Sequence, residues 1–111
     1  MSEYPKPARP EDSRDKRHSA AMALADRGDE LRRSALGFYA EAAALEEQAA
    51  NAVPVDQPRT RGVLRVSAAS LWAQAERWEH ATALIHRYLN EPLGEGFKNE
   101  LRILLAGLTR G

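Results

Sequence analysis

Residues 31–49 read LRRSALGFYAEAAALEEQA. Leu31, Ala35, Phe38, Ala42, Leu45 and Ala49 recur there at spacings of four and three. That spacing places all six on one face of an α-helix and is incompatible with the two-residue alternation of a half-buried strand. No other stretch is so periodic. The rest of the chain is read outward from it.

Toward the N-terminus, Asp29 can cap this helix, and Gly28 can close an earlier one by taking a left-handed conformation. That earlier helix is expected to start near Ser13, with Ala21, Met22, Leu24 and Ala25 as a thin apolar stripe. Before it, Pro5, Pro7 and Pro10 stand among charged and small residues, so residues 1–12 are expected to form a disordered tail. Residues 13–111 are expected to form a single domain, the size that 111 residues allow.

Toward the C-terminus, Pro54 and Pro58 interrupt the helical pattern. A helix from Pro58 or Arg59 to Glu76 follows, with Leu64, Ala68, Leu71, Trp72 and Ala75 on its buried face. A tight turn at Arg77 leads into another, on which Trp78, Ala81, Ile85 and Tyr88 recur. Pro92, Gly94 and Gly96 form a loop, and a last helix from Glu95 or Phe97 to Leu108 carries Phe97, Leu101, Leu104 and Leu108 on one side. The fold class is therefore all-α, with about five helices: two antiparallel hairpins and a C-terminal capping helix.

Residues 61–92 resemble a tetratricopeptide repeat. Ala69 and Ala81 occupy its small positions, Trp72 an aromatic one, Trp78 the opening of its second helix, Ile85 a large apolar position, and Pro92 its end. The physical content is packing, since antiparallel helices approach closely only where a small side chain faces a bulky one. Both tryptophans are thus expected in the core. Glu76 departs from the pattern, which has glycine at the turn, and Tyr88 stands where alanine is usual. Residues 15–50 fit more loosely.

Composition narrows the function. Lys plus Arg and Asp plus Glu each number 16, so neither the basic excess of a nucleic-acid binder nor a polybasic membrane anchor is present. Nucleic acid and membrane are not expected as partners. There is no cysteine, which excludes disulfides and thiolate chemistry. With neither a signal-peptide core nor an apolar run long enough for a span, a cytoplasmic protein is expected. Thirteen of the cations are arginine, which in an alanine-rich chain reads as the mark of a GC-rich, bacterial genome.

Catalytic constellations are missing. His80 and His86 lie six apart, off each other's face, and His18 is alone, so no metal site is expected. Glu41, Glu46 and Glu47 read as solvated charge. There is no phosphate loop, dinucleotide fingerprint or nucleophile elbow, so neither an enzyme nor a cofactor is expected.

The expectation is therefore a non-catalytic adaptor or scaffold that binds a protein or peptide segment. If the array is repeat-like, its concave face would present His18, Met22 and Asp26 from one hairpin and Val66, Ser70 and Gln74 from the other. Arg59, Arg61 and Arg65 form a second candidate surface, for an acidic peptide, a phosphate or nucleic acid, because cations at a helix N-terminus gain nothing from the macrodipole. The alternatives are a regulatory or nucleic-acid-contacting subunit using those arginines, and a homodimer or larger self-assembly completed by the apolar last helix.

Overall fold

The computed structural model describes residues 10–110. It contains four helices among them, α1 Pro10–Ala52, α2 Pro58–Gln74, α3 Trp78–Leu89 and α4 Glu95–Thr109, and no strand. The expected tail lies outside the described residues except for 10–12, which belong to α1. The chain divides into two compact units, Met1–Arg33 and Ser34–Gly111.

The count is four rather than about five because the helix expected to end at Gly28 continues through it. A glycine closes a helix when it adopts positive φ, and no described glycine does. Inside a helix, glycine costs only ~1 kcal/mol relative to alanine, and no proline follows within reach to stop propagation. α1 ends instead at the Val53–Pro54 step, where proline withholds an amide and restricts the residue before it. Pro58 then opens α2 in the first helical turn, where its missing amide costs nothing.

The α2–α3 connection is a Schellman closure with an unusual occupant. Arg77 N–H donates to the Trp72 carbonyl and Glu76 N–H to that of Ala73, both at 3.0 Å, with Glu76 at φ 59°. This is the position where the sequence departs from glycine. A side chain there costs on the order of 1 kcal/mol against glycine.

α2, α3 and α4 pack on one another. Ala69, Leu84, Ile85, Tyr88, Leu93 and Leu101 form their buried centre, edged by Val66, Trp72, Phe97 and Leu104. Ala69 and Ala81 are fully buried, so the small positions of the hairpin do admit close helix approach. Trp78 does not join this core, being 51% exposed, while Trp72 is half-buried with its ring edge-on to His80 at 4.4 Å. The buried large side chains of the hairpin are instead Tyr88, Leu84 and Ile85.

Gly62 on α2 accommodates the Phe97 ring at the start of α4. A Cβ there would lie 2.3 Å from Phe97 Cδ2 and 2.5 Å from Cγ. Because the clash includes Cγ, turning the Phe97 ring about its Cβ–Cγ bond cannot relieve it. Gly62→Ala is expected to destabilise by about 1–3 kcal/mol despite alanine's better helix propensity, as read by urea denaturation. An unchanged or raised midpoint would show that α4 is not seated on Gly62.

Candidate functional site

Within the Ser34–Gly111 unit, α1 buries Ala43 and Ala50, with Leu36, Ala40, Ala42, Ala44, Glu46 and Glu47 half-buried. The periodic row read from the sequence lies mostly outside this buried side, Ala42 alone of its six residues being half-buried. Phe38 is 69% and Leu45 66% exposed, and Ala35 and Ala49 are exposed as well. The physical reason is distance: alanines let the helix come close to its neighbours, whereas Phe38 and Leu45 would hold it away. In the Met1–Arg33 unit, Leu31 is 55% and Leu24 73% exposed.

The buried side of α1 is fastened by polar contacts. Glu47 lies 3.6 Å from His80, and Asn51 Oδ1 accepts from Arg65 Nη1 at 2.7 Å. Just past the helix, the Val53 carbonyl accepts from Arg61 Nη1 at 2.7 Å.

These last two bonds belong to a cluster centred on Glu91, in the loop between α3 and α4. Arg65 Nε and Nη2 donate to the two Glu91 oxygens at 2.8 Å each, a planar two-pronged pairing, and Arg61 Nη2 donates to Oε1 as well. Arg65 is only 5% exposed and its guanidinium lies 4.5 Å from the Tyr88 ring centroid. Burial opposes ionisation of Glu91, but the hydrogen bonds from Arg65 and Arg61 outweigh it and hold the carboxyl below its ordinary pKa. Burial likewise raises the Tyr88 phenol, against the pull of Arg65.

The candidate arginines thus separate: Arg61 and Arg65 converge on Glu91, while Arg59 stands exposed. Neither Glu91 nor Asn51 was singled out from sequence. A signal existed, since Arg61 and Arg65 have no carboxylate three or four residues away on α2, so any partner had to come from another element. Arg65, Arg87, Tyr88, Asn90 and Glu91 line a shallow depression over this cluster. Its cations face a carboxylate already in place.

The expected concave groove distributes as follows. His18, Met22 and Asp26 are exposed on α1 in the first unit. In the second, Val66 packs against the core, Ser70 is half-buried and Gln74 is exposed. Among the described residues no three His, Cys, Asp or Glu side chains are grouped to hold a metal ion, and no helix is long and apolar enough to cross a membrane. Comparison with protein-family models, with curated proteins and with solved structures finds no match to this chain.

Proposed function

We propose that the chain is a non-catalytic protein–protein interaction module whose docking element is the outward apolar row of α1. The observation that carries this reading is the exposure of Phe38 and Leu45 on a helix that uses its other side, Ala43 and Ala50, to pack. Scattered surface apolar residues are ordinary, but large ones repeated on one helical face without a covering element mark an interaction surface. The α2–α3–α4 packing supports a role as platform, with its tetratricopeptide-like hairpin holding α1 through small residues and the Glu91 cluster.

The nucleic-acid or regulatory reading is less favoured. It needs the arginines at the start of α2 to meet phosphate, whereas Arg61 and Arg65 are already neutralised in part by Glu91.

A benzophenone side chain placed at Phe38 or Leu45 in the native host tests the docking reading. Irradiation is expected to yield a protein adduct from both positions, and far less from Asn99 on the exposed side of α4. No adduct, or equal yields from all three positions, would remove the interaction surface from this face.

A further inference from the structure

Within the Ser34–Gly111 unit, the outward face of α1 is apolar along its middle and acidic along both edges. Phe38 and Leu45 stand exposed two turns apart, with half-buried Ala42 between them and exposed Ala35 and Ala49 beyond. Helical spacing sets Glu41 on one side of this row and Glu46 on the other, with Tyr39 on the Glu46 side. Glu41 is exposed, Glu46 half-buried and Tyr39 41% exposed.

Charge on this face is uncompensated. Every lysine and arginine of the unit stands at Arg59 or later, so residues 34–58 carry carboxylates and no cation. Among the described residues neither Glu41 nor Glu46 has an ion-pair partner, whereas Glu47 on the packed side reaches His80 and Glu91 holds two arginines.

We infer that the occupant of this face is an amphipathic helix of another protein, basic along both margins of its apolar stripe. This rests on the docking reading above and names the chemistry of the partner. Backbone chemistry selects a helix. The amides and carbonyls of α1 along this stretch are spent within α1, so an extended segment would find no ladder there and would leave its own polar groups unpaired. Ala35 to Ala49 covers roughly 21 Å of helix axis, which an occupant of about 14 residues matches. The alanines between and beyond Phe38 and Leu45 are hollows of the kind into which large side chains of a facing helix settle.

The margins select the sign of charge. Apolar contact removes water from beside Glu41 and Glu46, and an unpaired carboxylate there opposes docking unless the partner brings a cation. Lysine or arginine on each margin meets that need, and on the Glu46 side the Tyr39 ring offers the same cation an aromatic face. The carboxylates repel anionic lipid and nucleic-acid phosphate. The same stretch of a second copy would bring further carboxylates and no cation.

The test follows the benzophenone at Phe38 or Leu45 to the segment it marks. Digestion and mass spectrometry of the adduct are expected to map a stretch of about 14 residues with apolar side chains at helical spacing and lysine or arginine on both margins. Made as a peptide, that stretch is expected to bind the full chain about tenfold more weakly, or worse, after Glu41→Lys with Glu46→Lys, where like charges meet. Glu41→Gln with Glu46→Gln is expected to weaken it by about threefold, and reads the lost ion pairs even where the lysine pair disturbs folding. Glu95→Lys with Glu100→Lys, on the exposed side of α4, makes the same change in net charge and is expected to leave binding as in the parent. A mapped stretch that is acidic, uncharged or part of this same chain overturns the inference and leaves the docking surface in place. An affinity indifferent to both pairs at Glu41 and Glu46, or lowered equally by the α4 pair, does the same. Absence of any adduct removes the docking reading and this inference with it.

Discussion

Glu91→Ala is expected to destabilise the Ser34–Gly111 unit by about 2–4 kcal/mol. Removing one member of a buried ion pair costs about 3–5 kcal/mol because the remaining charge keeps its desolvation penalty. Here the value is reduced, since the Glu91 side chain retains 21% of its exposure and Arg61 12%. Two guanidiniums lose their acceptor at once, and with it goes the link that holds Asn51 and Val53 through Arg65 and Arg61. Urea denaturation followed by tryptophan fluorescence measures this, and a loss below about 1 kcal/mol would show that the cluster is loosely solvated.

The same residue sets the acid limb of stability. The folded-state pKa of Glu91 is depressed, so its contribution is fully present above the ordinary carboxylate range. It is lost progressively as pH falls from that range through the lower folded value. Glu91→Gln should flatten this limb, and a variant that tracks the parent's acid profile would assign the proton uptake to another group.

Leu101→Ala is expected to cost about 2–5 kcal/mol. Leu101 is fully buried and is the α4 residue at the centre of the core, among Leu84, Ile85 and Tyr88. Its truncation leaves a cavity bounded by three helices, none of which can move in without giving up contacts with the other two. Ile103, on the same helix but 73% exposed, is the matched control, and its alanine variant should fall within ~0.5 kcal/mol of the parent. Equal losses at both positions would mean that α4 is packed the other way round.

The parts of the fold legible in the sequence are those announced by backbone chemistry. Pro54, Pro58, Pro92 and the glycines around α4 punctuate the chain whatever packs against them, and α2, α3 and α4 begin and end within a residue or two of where these signals put them. Gly28 was misleading because glycine permits a helix end without requiring one. The buried face of α1 was hidden for a different reason. Periodicity finds the face with the largest apolar side chains, but the close approach of α1 to its neighbours selects small ones such as Ala43 and Ala50.

The candidate site was legible in part. Arg61 and Arg65 stood out, but their partner Glu91 is 26 residues or more away in sequence and no local spacing joins them. Trp78 stood at the opening of a helix where the repeat pattern pointed inward, but it is half exposed while Tyr88 is buried.

The hollow at Gly62 has a consequence for how α4 is located. A helix resting on a smooth neighbour can slip by a turn at little expense, since one ridge resembles the next. Here the aromatic ring of Phe97 is a key and the missing Cβ its keyway. Four residues away in either direction along α2 stand Val66 and Pro58, which carry the side-chain atoms that Gly62 lacks. The axial setting of the last helix is thus indexed by an absence of atoms, at a point where any substitution adds some.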